Sequence, residues 1–389
     1  MFFFISVPKH FVETLSALYL HIPFCRSRCV YCDFCSSTYG RGVQSAYVQA
    51  LLQELRQRSG ELAGGTVSSI YIGGGTPSVL FDKDLSAIFH AIHSVYNIKE
   101  CAEVTLEANP DDVTTERVRA WKDMGINRLS LGVQSLDDRL LQMLNRRHTS
   151  RQAVHAVEAA FRKGLDNVSI DLMYGLPMLD MPSWEQTLEL ALALPVVHLS
   201  AYCLSVERET VMEQKIEQGI WHLPDDELAE AQYKSLISAT REAGFEHYEI
   251  SNFARNGKFS RHNSSYWDGT PYIGLGVGAH SYDGSVRRAN TTDVQRYAQS
   301  NGNVPYNIET LSKFDQINEM LFLSLRTSRG LNLSHFKKSF GEEVFQAVMQ
   351  QAHPHIVHGR LKQDGDTLRL TEAGIFVSND VLSDLLIVD

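Results

Sequence analysis

No apolar run in this sequence is long enough to cross a membrane: the longest, such as Phe2–Ile5 and Ala191–Val197, fall far short of the ~20 residues a span requires. Met1–Ser6 lacks a basic flank and a small-residue cleavage site, so no export signal is expected. Positive charge is also short. Lys and Arg number 36 against 46 Asp and Glu, and the net charge of −10 is a poor match for a polyphosphate backbone. A nucleic-acid partner is therefore not expected. The polar bias of a disordered chain is missing too, since 43% hydrophobic and 21% charged residues are globular values. The 389 residues suffice for two or three domains, or for an α/β barrel with a smaller unit attached.

Cysteine is scarce but concentrated. Cys25, Cys29, Cys32 and Cys35 fall within eleven residues, whereas Cys101 and Cys203 stand alone. A disulfide framework spreads its cysteines along a short secreted chain. Four in one loop, without an export signal, read as a metal or redox site in a reducing cytoplasm. Cys101 and Cys203 read as small core residues. The spacing Cys25-x-x-x-Cys29-x-x-Cys32 offers soft thiolates, which select zinc, Cu(I) or an iron–sulfur cluster. A structural zinc ion takes a closed set of four ligands. Three close thiolates instead fit three corners of a four-iron cube, with one iron left open. Cys35 as a fourth ligand would strain so short a loop, and it reads as a free, buried or semi-exposed thiol.

Up to about residue 200 the chain repeats one grammar: an apolar run, a polar or glycine punctuation, then an amphipathic stretch. Strands are expected at Leu18–Ile22, Ser69–Ile72, Glu103–Glu107, Arg128–Val133, Asn167–Met173 and Val196–Tyr202. Helices are expected at Ser45–Arg58, Lys83–Tyr96, Thr115–Gly125, Arg151–Gly164 and Ser183–Leu194. Ala153, Ala156, Val157 and Ala160 have the helical spacing. Gly60, Gly125 and Gly164 sit where helices should end, and Ser183 with Gln186 has the form of a capping box. Such alternation predicts parallel βαβ units, in an open sheet or an incomplete barrel, with ligand-binding loops at the strand C-termini. Asp225–Gly244 reads as a further helix, and Phe245–Ser285 shows no clear period.

Over the last stretch, helices are expected at Ile317–Leu325, Ser334–Phe340 and Glu343–His353. A hairpin-like pair follows, Leu361 and Thr367–Leu370 around Gly365, an order that resembles a winged helix. From Leu311 to Asp389 there are 8 basic and 10 acidic residues, a net −2, so a structural or partner-binding cap is expected rather than a groove reader. His353, His355 and His358 fit no standard metal spacing and read as surface.

The segment His21-Ile22-Pro23-Phe24-Cys25-x-x-x-Cys29-x-Tyr31-Cys32-Asp33-Phe34 resembles the signature of the radical S-adenosylmethionine (SAM) superfamily, in its coproporphyrinogen-dehydrogenase-like branch. Within that branch the chain is most similar to the HemW-type haem chaperones, from Tyr19 to its end. The resemblance implies an incomplete (β/α)6 barrel over 18–210, preceded by an extension over 1–17. An α+β linker region (211–310) and a winged-helix-like domain (311–389) would follow.

It further implies a [4Fe–4S] cluster on Cys25, Cys29 and Cys32, with SAM on the open iron. Tyr19, Gly74, Gly75, Thr76, Glu107, Gln134, Arg146 and Asp171 would hold SAM, each near a strand end. An acid such as Asp171 in an apolar run costs several kcal/mol if buried alone, and Arg146 is its candidate partner. His262, Tyr266 and Trp267 resemble a haem-associated motif, with imidazole as an axial ligand; the alternative is a histidine tied into local hydrogen bonds among core aromatics. The implied function is binding of haem and its transfer to an acceptor, a respiratory haem protein, with any membrane contact peripheral. The rival reading is oxidative decarboxylation of coproporphyrinogen III. Those dehydrogenases place a further cysteine two positions after the third; here that position is Phe34. They also carry a longer N-terminal segment, whereas 24 residues precede Cys25. Both departures favour the chaperone.

Overall fold

The computed structural model describes residues 15–62 and 65–388, so the expected extension over 1–17 lies mostly outside the described residues. Six parallel strands form its centre: β1 (Leu15–Ile22), β2 (Thr66–Gly74), β3 (Ile98–Ala108), β4 (Arg128–Gln134), β5 (Val168–Tyr174) and β6 (His198–Cys203). Each pairs in parallel with the next. The helices Arg41–Gln57, Asp82–Val95, Thr115–Asp123, Ser150–Arg162 and Met181–Ala193 fall between successive strands. All six strands and five helices lie where the sequence pattern puts them.

Successive strand residues point to opposite faces. On one face Leu18, Leu20, Ile70, Ile72, Leu106, Leu129, Leu131, Ile170, Leu172 and Leu199 are fully buried. On the other, Tyr19, Tyr71, Glu107, Arg128, Ser130, Ser169, Asp171, His198, Ser200 and Tyr202 line a cavity. Parallel strands are usually apolar on both faces. The polar face here exists because the curved sheet encloses a cavity, which also accounts for Asp171 inside an apolar run.

The region expected as a linker is part of the same sheet. β7 (Glu246–Glu249) and β8 (Asn252–Ala254) extend it beyond β6, and β9 (Tyr272–Leu275), β10 (His280–Tyr282), β11 (Val286–Asn290) and β12 (Tyr306–Thr310) extend it beyond β1. The order is β12-β11-β10-β9-β1-β2-β3-β4-β5-β6-β8-β7, open at both ends. β9 runs parallel to β1, while the other added strands are antiparallel to their neighbours. Strands of three to five residues are too short to display a period, which is why the sequence pattern misses them. The fold is α/β with a mixed, unclosed sheet.

The C-terminal part has helices Lys313–Leu325, Leu333–Phe340 and Glu342–Val357. β13 (Leu331–Asn332), β14 (Leu361–Asp364) and β15 (Thr367–Leu370) form a separate antiparallel sheet in the order β13-β15-β14. A core of its own includes Leu321, Leu325, Phe336, Val348, Leu368 and Val381.

Four local expectations are corrected. Gly125 and Gly164 have positive φ after their helices, but Gly60 does not. The helix expected to start at Ser183 is capped three residues earlier by Asp180, whose carboxylate accepts the Ser183 amide. Pro182 sits in the first turn, where a missing N–H breaks no helical bond. His355 is buried rather than at the surface, with Nε2 3.1 Å from Asp384 Oδ2; the helix runs through Pro354, so its last turn carries His355 inward. Cys101 and Cys203 are exposed, not core residues, because Cys101 lies in the uncovered opening residues of β3 and Cys203 is the last residue of β6.

Candidate functional site

A cavity of about 420 Å³ lies inside the curve of the central sheet and reaches its C-terminal edge. The cysteine loop, which follows β1, closes one side. Backbone bonds pin this loop: the Cys25 amide donates to the Ser37 carbonyl (3.0 Å), Val30 to Leu144 (3.3 Å), and Met212 to Val30 (2.9 Å). Cys25, Cys29 and Cys32 all line the cavity and all are free thiols. The sulfurs have polar neighbours: Thr76 Oγ1 lies 3.4 Å from Cys25, Arg146 Nη1 3.1 Å from Cys29, and Ser36 Oγ 3.7 Å from Cys32. Cys35 points elsewhere. Its half-buried thiol donates to the Thr292 carbonyl at 3.4 Å, and its carbonyl lies 2.9 Å from His21 Nε2.

The Gly73–Thr76 turn follows β2. A Cβ on Gly73 would stand 2.8 Å from Glu107 Oε1, and one on Gly74 would stand 2.6 Å from the His21 ring. The glycines are thus required by the packing of the protein's own side chains, whatever ligand approaches. The Gly74 amide donates to Glu107 Oε2 at 3.0 Å, and Tyr71 OH donates to Glu107 Oε1 at 2.6 Å. Burial pushes the Glu107 carboxyl up to about 7; the Tyr71 and Gly74 bonds hold it down, and the nearby Asp171 raises it.

Burial likewise lifts Asp171 to about 6, against the hydroxyls of Ser200 and Ser130, the latter at 3.3 Å. The expected Asp171–Arg146 pair is absent among the described residues. Arg146 instead bonds the Cys29 sulfur, the Asn109 side chain and the Gly132 carbonyl, because its position after the strand end directs it toward the cysteine loop. Gln134, at the end of β4, lines the cavity with a left-handed φ of 68°. A register shift between Gly132 and Gln134 turns the strand there, as a bulge does.

Tyr19, Gly74, Gly75, Thr76, Glu107, Gln134, Arg146 and Asp171 all border this one cavity together with the three cysteines. The haem-associated trio does not. His262 is 1% exposed, with Nδ1 3.1 Å from Ser69 Oγ and Nε2 2.9 Å from Tyr266 OH. Both ring nitrogens are engaged, and burial lowers its pKa to about 3. Trp267 lines a different cavity of about 330 Å³, with Tyr248, Phe259 and Arg329. In this packing His262 is held in local hydrogen bonds, because the short helix Arg261–Trp267 turns its side chain into the protein.

Arg128, Ser130, Ser169, His198, Ser200 and Tyr202, which the motifs do not include, also line the first cavity. The two-residue period of polar side chains in Arg128-x-Ser130, Ser169-x-Asp171 and His198-x-Ser200-x-Tyr202 is the signal that would have found them.

The donor chemistry fits the cofactors expected above. Three soft thiols, none in a disulfide, face one space, and among the described residues neither Glu107 nor Asp171 forms an ion pair. Arg146 Nε is buried without an acceptor among the described residues. A zwitterionic sulfonium ligand would complement both features, and an iron–sulfur cluster would use the thiols.

This fold and site define a radical SAM protein. Residues 19–191 match the profile of the radical SAM superfamily, and residues 311–377 that of the HemN C-terminal domain. The solved structure of coproporphyrinogen III oxidase (HemN) from Escherichia coli superposes with a TM-score of 0.83, at 23% identity, over 96% of this chain and 90% of that one; this is a likeness of fold. A protein named heme chaperone HemW from Bacillus subtilis is 33% identical over 96% of this chain and 99% of the relative. The bovine mitochondrial radical S-adenosyl methionine domain-containing protein 1 is 37% identical over 95% of this chain and 87% of its own. The chain belongs to the HemW family. Membership implies a [4Fe–4S] cluster and SAM. Among the described residues no helix is long and apolar enough to cross a membrane.

Proposed function

We propose that this protein binds haem and passes it to an acceptor protein, using a [4Fe–4S] cluster on Cys25, Cys29 and Cys32 and a bound SAM. The observation that carries the reading is near-full-length similarity to proteins named as haem chaperones. Phe34 at the position of the dehydrogenases' extra cysteine supports it.

When bound, the cluster supplies single electrons that can cleave the sulfonium of SAM; the protein orients that chemistry and excludes side reactions. Its own residues have separable tasks. Glu107 and Asp171 would take the cationic and ribose portions of the ligand, Glu107 fixed by Tyr71 and the Gly74 amide. Arg146 would face the ligand's carboxylate while holding the Cys29 side of the loop. Gln134 and Tyr19 would complete the wall. The haem acceptor is proposed to be a haem protein of respiration.

Coproporphyrinogen oxidation is the rival, favoured by the HemN-like fold. Anaerobically reconstituted protein with reductant and SAM should bind haem and form no protoporphyrinogen. Turnover of coproporphyrinogen would reverse the assignment.

A further inference from the structure

We propose that His262 is a positioning residue for Glu107, acting through the ring of Tyr71, and not an iron ligand. The inference rests on the reading above only in taking Glu107 as a ligand of SAM. Tyr71 donates to Glu107 Oε1 at 2.6 Å. Behind it the His262 ring stacks on the Tyr71 ring, with centroids 5.0 Å apart and planes at 27°. Tyr19, across the same group, lies 6.2 Å from Tyr71 and 6.4 Å from His262. The His262 ring is itself clamped at both nitrogens, by Ser69 at 3.1 Å and Tyr266 at 2.9 Å, and its amide donates to Glu103 Oε1 at 3.1 Å. The aromatic wall therefore sets where the Tyr71 hydroxyl stands, and that hydroxyl sets one oxygen of Glu107.

Iron ligation is hard to reconcile with this arrangement. Either nitrogen could reach a metal only by abandoning a buried hydroxyl, and an orphaned buried polar group is costly. The enclosed ring would also have to leave its site between Tyr71 and Tyr266. As a wall, by contrast, His262 needs no movement.

Glu107 is faced by several ionisable groups: Tyr71 on β2, Tyr19 on β1, Asp171 on β5, Tyr202 on β6, and Tyr266 beside His262. Arg128 and Arg146 border the same cavity. Of these, Tyr71 gives the hydrogen bond that favours the ionised carboxylate, and Asp171 opposes ionisation. Loosening Tyr71 should raise the titration midpoint of Glu107 and weaken binding of a cation at neutral pH.

The test is an infrared titration of the carboxyl band in the full-length, ligand-free protein, with Glu107→Gln identifying the band. Tyr71→Phe should raise the midpoint by about one pH unit. His262→Leu should move it in the same direction, while His262→Phe, which keeps a flat ring against Tyr71, should stay near the wild type. Should His262→Leu not fold, Tyr266→Phe frees the same ring and is read in its place. SAM affinity at pH 7, by equilibrium dialysis, should fall about fivefold with a one-unit shift, because a midpoint near 7 leaves about half of Glu107 ionised there and a midpoint near 8 about a tenth; the ligand's own ionisation is common to every variant. A merely structural histidine would lower the melting temperature and leave the midpoint alone, which overturns the proposal. So would loss of haem binding in both His262 variants with unshifted midpoints. If wild-type protein binds no SAM, the cofactor reading fails, and the infrared shifts still decide the positioning role.

Discussion

The guanidinium of Arg146 lies 3.1 Å from the sulfur of Cys29, and the same side chain bonds Asn109 and the Gly132 carbonyl. One cation thus joins the cysteine loop to the ends of β3 and β4. Its planar fork makes these contacts together; a lysine, with a single point of charge, cannot.

Arg146→Lys is therefore expected to weaken SAM binding about tenfold or more and to lower iron incorporation on anaerobic reconstitution. Iron and sulfide per chain, with equilibrium dialysis of SAM, measure both. Wild-type values for the two would remove Arg146 from the site.

The raised carboxyls make stability depend on pH. The folded pKa of Glu107, about 7, and of Asp171, about 6, exceed the ordinary values of 4.5 and 3.8. Stability from the neutral forms is fully present below the ordinary values and is lost as pH rises through the folded ones. The ligand-free protein should be less stable at pH 8 than at pH 5 on this account, and Glu107→Gln should recover roughly 1–3 kcal/mol at pH 8. Denaturant unfolding at the two pH values tests this; equal differences between variant and wild type at both would contradict it.

Gly74 has a φ of +110° and no room for a Cβ beside His21. Gly74→Ala should cost about 2–4 kcal/mol, because strain and overlap add. An unchanged denaturation midpoint would mean that the turn relaxes freely.

Asp180 caps the helix Met181–Ala193 by accepting the Ser183 amide at 2.9 Å. Asp180→Ala should lower stability by about 1 kcal/mol. Since the cap is remote from the cavity, SAM affinity should be unaltered; a change there would reveal coupling between the β5 loop and the site.

Local rules carry the central strands and helices: apolar runs of strand length, helical spacing such as Ala153 to Ala160, and the cysteine spacing are all written in consecutive residues. The short added strands are not. β8 has three residues, and nothing local distinguishes it from a loop until β6 offers it an edge.

The site divides in the same way. Cys25, Cys29 and Cys32 are near neighbours in sequence, so their common purpose is readable from spacing. Glu107, Asp171 and Arg146 come to one cavity because successive parallel strands end on one side. Which carboxyl meets which cation depends on side-chain direction, and Arg146 turns to Cys29 rather than to Asp171. His262 illustrates the limit most plainly. Residue type and motif permit an iron ligand, but only tertiary packing sets whether an imidazole faces open space or lies locked between hydroxyls behind Tyr71.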